Sequence, residues 1–507
     1  MNYELFRTFA FRMKKNSEDS YQHVLKYTGL FGGVQGLVIL IGLVRNKAMA
    51  WLLGAGGMGF NALMMSVQTF AAQSTNLGLS FGAVPKLSEV YEQKDSHAQL
   101  DYYIQVIRLW SLIAAVLGLL FCVAASSLMN NMTFTWGDHT LHYAMLGVSV
   151  AMLAITGGET AVLKAMRRMG ALARIQIFGA MGAVLLSVPL YYYWGHSGVI
   201  PAIVLIAGLN MLLTIWHSYR CCPMKLVFSR RHLHDGYGMI RLGLAFVLAA
   251  AIGSGAEMAI RAFLNVEGSM DDVGFYNAAY MIVITYAGMV FSAMETDYFP
   301  RLSAVNKDIE ATNETVNKQM EVSLLMLSPM LVGLLMLLPV LIPMLFSSDF
   351  LPVVSMAQVA VLAMYFKVQT MPVAYITLAR SRSLSFLLLE STYFVVLVVS
   401  ILVGYRWHGI WGTGVAIVVA HVVEYLTVNI YAYWQYGYRS TWQVVRYALV
   451  QMSIGVLAYG VSLWTEGFAY WVTEAALTFV STAYSLYILH QKTRLWEALM
   501  RKFKKLV

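Results

Sequence analysis

Three cysteines in 507 residues are too few for a disulfide framework, and Cys122, Cys221 and Cys222 lie in or beside apolar runs rather than at metal-ligand spacing. Charge is equally scarce. Asp, Glu, Lys and Arg make up 12% of the chain against 59% hydrophobic residues, and the mean hydropathy is +0.63. That leaves too little polar side chain to cover a water-soluble domain, whereas a bundle of membrane helices needs this balance. The opening MNYELFRTFAFRMKKNSEDS lacks the charged cap and short apolar core of a cleavable signal. Residues 1–23 are expected instead to form an amphipathic cytoplasmic helix along the membrane surface. Long outward loops are missing too, and with them the several positioned groups that catalysis on the far side of a membrane requires, so an enzyme is not expected.

What is there is a series of apolar runs. Roughly 20 mostly apolar residues cross the hydrocarbon core, and this length predicts an all-α polytopic membrane protein of about fourteen spans: 24–50, 58–82, 104–128, 141–162, 172–193, 198–217, 239–264, 274–298, 320–346, 352–375, 382–404, 409–433, 443–464 and 468–490. Inner loops retain cations. With the N-terminus inside, all but four of the 35 lysines and arginines fall on the inner side, the exceptions being Arg45, Lys47, Arg261 and Arg406. One missed span would scramble that segregation, so it supports an even number of spans with both termini cytoplasmic. The net charge of +9 is then a topology signal and an attraction to anionic membrane lipids. A nucleic-acid partner is not expected.

The chain also echoes itself. GFNALMMSVQTFAAQSTNLGLSFGAVPKLS begins at Gly59, and GFYNAAYMIVITYAGMVFSAMETDYFPRLS begins at Gly274. In both, 26 positions separate the Gly-Phe pair from a Pro-cation-Leu-Ser, and a shift of 215 registers Gly59, Phe60, Ala72, Pro85, Leu87, Ser88 and Val90 on matching residues. Six spans separate the copies, and Pro85 and Pro300 are expected to end their helices on the inner side. This predicts two parallel repeats, related by an axis along the membrane normal, with a substrate site at their interface and alternating access. The expected organisation is the segment 1–23, a first lobe over 24–218, a cytoplasmic linker over 219–238, a second lobe over 239–435, and a terminal helix pair with a basic tail over 436–507.

The stretch LVRNKAMAWLLGAGGMGFNALMMSVQTFAAQSTNLGLSFGAVPKLSE resembles the first two helices of Wzx-type polysaccharide flippases, and Glu257–Ser303, with DDVGFYNAAY, resembles their second repeat. The resemblance implies the fold of the multidrug/oligosaccharidyl-lipid/polysaccharide (MOP) exporter superfamily, also that of MATE transporters, with two pseudo-symmetric six-helix lobes plus, here, a C-terminal pair. It implies transport of an undecaprenyl-diphosphate-linked oligosaccharide, an O-antigen (lipopolysaccharide) or other surface polysaccharide unit, across the bacterial inner membrane. Other polysaccharide-assembly proteins are then further candidate partners.

Ionisable groups inside a span are costly and face a cavity or a partner. Arg45 and Lys47 sit late in the first span, and Glu257 and Arg261 late in the seventh, four apart on one face. Arg45 and Arg261 suit a diphosphate, because a guanidinium binds phosphate oxygens bidentately and stays charged. Snorkelling to the interface for Arg45, and a structural ion pair for Glu257 and Arg261, remain open alternatives. Asn61, Gln68 and Thr75 recur every seven residues, with Gln73 and Asn76 nearby, as sugar-binding groups or as glue between helices. Lys367 is a further substrate-binding candidate. Glu257, His421 and Glu424 are candidates for coupling to H+ or Na+, the only cofactor-like role expected, although the pattern favours His421 as a satisfied core residue. The rival reading is a MATE-like exporter of cationic drugs, which calls for an acidic cavity.

Overall fold

In hydrocarbon the backbone finds no water, so each peptide group must be bonded within its own segment, and apolar runs of this length become helices. The computed structural model describes residues 3–493 except 93–96, 136, 224–228, 287, 289–297 and 381. Its helices are α1 (Tyr3–Thr75), α2 (Leu79–Glu92), α3 (His97–Thr133), α4 (Thr140–Ala165), α5 (Met169–Trp194), α6 (Val199–Cys221), α7 (Arg230–Glu267), α8 (Met270–Tyr280), α9 (Ile309–Leu345), α10 (Val353–Val361), α11 (Ala363–Ala379), α12 (Ser383–Tyr436), α13 (Trp442–Trp464) and α14 (Gly467–Thr493). Ten stretches among the described residues are long and apolar enough to cross a membrane, and three of them, at 43, 53 and 53 residues, have length for two crossings. Each of the three breaks midway: at Gly54 (φ 67°), at the turn Gly195–Gly198, and at His408 and Gly409 (φ 57°), where glycine accepts a backbone conformation that other residues resist. Counting those three twice and adding span 274–298, part of which lies outside the described residues, recovers the fourteen expected crossings. The basic tail 494–507 and part of the linker 219–238 also lie outside them.

The two echoed prolines do not end their helices. Pro85 lies inside α2, which continues to Glu92, and residues 298–304 remain helical through Pro300. The break falls earlier, at Asn76–Gly78. There Leu77 and Gly78 take φ of 56° and 69°, and the Asn76 side chain accepts a hydrogen bond from Gly78 N at 2.7 Å. A helix restarting at Leu79 loses only one backbone bond to Pro85 and spans it.

Two compact units emerge, one of residues 1–48, 75–124 and 144–244, the other of 49–74, 125–143 and 245–507. The second unit explains the echo. A Cβ on Gly59 would lie 2.0 Å from the carbonyl oxygen of Met270, and one on Gly274 would lie 2.1 Å from that of Ala55, so the two echoed glycines let the backbones of α1 and α8 touch. The following phenylalanines also do the same job. Phe60 packs on Phe134 just beyond α3 (centroids 6.2 Å), and Phe275 packs on Phe350 just beyond α9 (5.6 Å). Ser269 caps α8 by accepting from Asp272 N, with Asp271 and Asp272 in the first turn at the positive end of the helix dipole.

The terminal pair is held by polar groups, as expected where lipid removes the hydrophobic drive between helices. Gln451 of α13 donates to Ser485 Oγ (2.7 Å) and accepts from Ser481 Oγ (2.6 Å), both on α14. Pro339 of α9 has no N–H for the Leu335 carbonyl one turn back. Tyr470 Oη of α14 fills that place, donating to the carbonyls of Leu335 (3.3 Å) and Met336 (3.0 Å).

Two outcomes are expected. Gly59→Ala or Gly274→Ala forces backbones apart and lowers the melting temperature of the detergent-solubilised protein, by an amount equivalent to about 1–3 kcal/mol. Gly42→Ala, where a Cβ meets nothing within 4 Å, leaves it unchanged or raises it. Tyr470→Phe strands a buried carbonyl at a cost of about 1–3 kcal/mol in the same melt.

Candidate substrate and coupling site

Site residues on α7 and α8 of the second unit are placed by helical spacing. Arg261 follows Glu257 by one turn, and its Nη1 donates to Glu257 Oε2 (3.0 Å) and to the Glu257 carbonyl (3.1 Å). Nη2 reaches Asn277 Oδ1 of α8 at 3.3 Å. The Arg261 side chain is 8% exposed and the Glu257 side chain 42%. The pair is thus a real ion pair in which the cation is buried and the carboxylate faces outward. Glu257 opens on a cavity of about 310 Å³ whose polar wall on α1 is Ser66, Thr69 and Gln73. Asn61, Gln68 and Thr75 are buried, and none of them lines this cavity.

Farther along the same unit, His421 and Glu424 lie one turn apart on α12, with Nδ1 and Oε2 2.7 Å apart. Lys367 of α11 donates to the other carboxylate oxygen at 3.1 Å and stands 5.4 Å from the centre of the Tyr393 ring. Tyr393 in turn stacks on His421 (5.1 Å), with its Oη 3.4 Å from Nε2. Tyr280 lies within electrostatic range of Glu257 and Arg261, and Tyr393 within range of Tyr280, Tyr276 and Glu424. The five residues proposed from sequence thus form two bonded groups, Glu257 with Arg261 and Lys367 with Glu424 and His421, and with Tyr280 and Tyr393 in electrostatic range between them they make up one polar chain. Glu390 joins it, in range of Lys367 and Glu424. Sequence reading passed over Glu390, although an acid within the expected span 382–404 was a signal. It changes the charge balance, because three carboxyl groups now face two permanent cations.

Arg45 belongs to the first unit, half-buried on α1 within electrostatic range of Tyr191 of α5. Lys47 is exposed, Thr75 is buried, and Asn76 caps the turn before α2. The same unit contains a second pairing that sequence reading missed. Arg108 of α3 and Glu159 of α4, both buried, meet through two hydrogen bonds (2.8 and 3.3 Å), and Ser218 Oγ donates to the same carboxylate at 2.5 Å. The guanidinium also caps the end of α6 through the carbonyls of Cys222 (2.9 Å) and Pro223 (3.0 Å). Every acceptor here is satisfied, so Arg108 anchors structure.

Breaking a buried pair costs more than replacing it. Lys367→Met is therefore expected to destabilise by about 3–5 kcal/mol, because Glu424 is left buried beside His421 alone. Adding Glu424→Leu should recover most of the loss, as read by melting both variants in one detergent.

Residues 48–355 match the family described as polysaccharide biosynthesis protein. No curated protein matches the chain by sequence. Among solved structures, the lipid II flippase MurJ in an inward closed conformation superposes with a TM-score of 0.66 at 13% identity, covering 91% of this chain and 99% of that one. An inward-facing multidrug resistance MATE family transporter of the MOP superfamily superposes with a TM-score of 0.66 at 14% identity, over 79% of this chain and 94% of that one. Likeness at such identity establishes the fold, that of polytopic membrane transporters. With more than half of its length matched, the chain belongs to the polysaccharide biosynthesis protein family.

Proposed function

We propose that this protein is a flippase that carries a polyprenyl-diphosphate-linked oligosaccharide, an O-antigen or other surface polysaccharide unit, across the bacterial inner membrane by alternating access, with both termini cytoplasmic. The observation that carries the reading concerns the two arginines expected from sequence. Arg45 Nε and Arg261 Nε are both buried and have no hydrogen-bond partner among the described residues. A buried donor without an acceptor costs about 1–3 kcal/mol, and a phosphate oxygen is an acceptor of the right charge and geometry. In this reading the two arginines are the phosphate contacts, Lys367 adds charge, and Asn61, Gln68, Thr75 and Asn76 stand with Lys47 as polar groups for the glycan. Glu257, His421 and Glu424 are the groups for H+ or Na+ coupling. The family and the flippase fold of MurJ support the same substrate class.

The second reading, an exporter of cationic compounds, has its own observation: among the grouped polar residues around Tyr280 and Tyr393, the acids Glu257, Glu390 and Glu424 outnumber Arg261 and Lys367. The two readings separate in vesicles. Arg45→Ala and Arg261→Ala are expected to stop flipping of a lipid-linked oligosaccharide without loss of protein from the membrane, and Arg→Lys to restore it in part, since a point charge lacks the bidentate contact. Glu257→Gln should be milder. Wild-type flipping in both alanine variants, together with uptake of a cationic dye that Glu257→Gln abolishes, would put the exporter first.

A further inference from the structure

A large cavity lies at one end of the terminal pair, the cytoplasmic end in the topology proposed above. It encloses about 720 Å³, wholly within the second unit, between the start of α9, the start of α13 and the end of α14. That is the size of cavities that take a bound small molecule. Its charged wall is Arg301, Glu314, Lys318, Glu321 and Lys492, and its apolar wall is Val322, Leu325 and Leu489. Sequence position orders the two walls by depth. Arg301, Glu314, Lys318 and Lys492 lie outside the expected spans 274–298, 320–346 and 468–490, whereas Val322, Leu325 and Leu489 lie inside them. Val322 then continues into Met326 and Met330, an exposed apolar stripe at four-residue spacing along α9.

Hydrogen bonds and packing hold the cavity open in a fixed shape. Asn317 of α9 clamps the connection to α13, donating to the Arg439 carbonyl (3.0 Å) and accepting from Thr441 N (2.9 Å). One turn earlier, Asn313 accepts from Arg439 N and donates to the Gly437 carbonyl, both at 3.3 Å. Beneath, the buried Leu325, Tyr447 and Ile488 join α9, α13 and α14 in one cluster, with Leu489 packed against it. Lys492 spans the three helices by donating to Glu321 and to Gln443 (3.1 Å). An ammonium has three donors, so one is left for a further acceptor.

The lining therefore carries three cations against two carboxylates, with an apolar wall below them. One net positive charge suits a phosphodiester, which carries one negative charge, and the apolar wall suits what hangs from it. A soluble anion would leave that wall unused. The chain's own tail, residues 494–507, has the wrong sign, with five cations against Glu497. Basic clefts between membrane helices at the cytoplasmic surface are where anionic lipid headgroups bind. We propose that this cavity holds an anionic glycerophospholipid, with its phosphodiester among Arg301, Lys318 and Lys492 and an acyl chain along Val322, Met326 and Met330. The lipid is a resident one that joins α9 to the terminal pair. It is not the transported substrate, and the site does not depend on the arginines assigned to that substrate.

The test uses the full-length protein, purified in detergent and mixed with phosphatidylglycerol, zwitterionic phosphatidylcholine, a polyprenyl diphosphate or inorganic phosphate. Native mass spectra count the lipid retained, and melting curves report its effect. Phosphatidylglycerol should be retained and should raise the melting temperature. Arg301→Gln/Lys318→Gln removes two exposed cations, and Val322→Trp fills the cavity without changing its charge. Each should lower phosphatidylglycerol retention severalfold, while Lys164→Gln/Arg174→Gln, at exposed cations of the first unit, should leave it unchanged. Retention of the polyprenyl diphosphate should be the same in all of these variants. The proposal is overturned if both cavity variants retain phosphatidylglycerol as wild type does, if phosphatidylcholine is retained equally well, or if inorganic phosphate alone reproduces the rise in melting temperature. Loss of the polyprenyl diphosphate in the cavity variants would also overturn it, by making the cavity part of the substrate path. Failure of the arginine variants in the flipping assay, or their success, leaves these results untouched.

Discussion

Within a bilayer no polar group can fall back on water, so each must find its partner inside the protein. Much of this structure follows from that constraint. Where Pro339 removes a backbone donor, a tyrosine from another helix supplies one. Where α6 ends, the Arg108 guanidinium takes up its last carbonyls and is neutralised by Glu159. Where α13 and α14 meet, one glutamine and two serines complete each other. Charges in the spans are handled the same way, in pairs and short chains: Glu257 with Arg261, and His421 with Glu424 and Lys367.

The same constraint shapes what the polar chain can do. Most donors and acceptors along it are already engaged, so a ligand binds either by using what is left over or by opening a pair. Left over in the chain is the buried Nε–H of Arg261, and in the first unit the buried Nε–H of Arg45, neither with a hydrogen-bond partner among the described residues. The exposed carboxylate of Glu257 is the one member that opens on the cavity of Ser66, Thr69 and Gln73.

Close approach of helices is the other consequence of losing the hydrophobic drive between them. With lipid as apolar as any side chain, contact has to be earned by packing, and small residues allow it. Gly59 and Gly274 do this at one crossing, and the phenylalanine after each seats its helix end on a second phenylalanine.

Length and composition alone determined that this chain is a multi-pass helical protein of fourteen crossings, because apolar runs and cation placement are local properties of the chain. The echo of Gly59-Phe60 in Gly274-Phe275 was legible as a repeat, and Arg45, Arg261, Glu257, Lys367, His421 and Glu424 were legible as misfits in apolar runs. Tertiary structure decided the rest. A seven-residue period puts Asn61, Gln68 and Thr75 on one face without saying what that face meets, and the cavity wall proved to be Ser66, Thr69 and Gln73. Pro85 reads as a helix end until the turn at Asn76–Gly78 is seen to have restarted the helix before it. That the echoed glycines touch each other and that Glu390 joins the Lys367 pair both depend on residues distant in the chain. Periodicity reports a direction around a helix axis, and only packing supplies the neighbour.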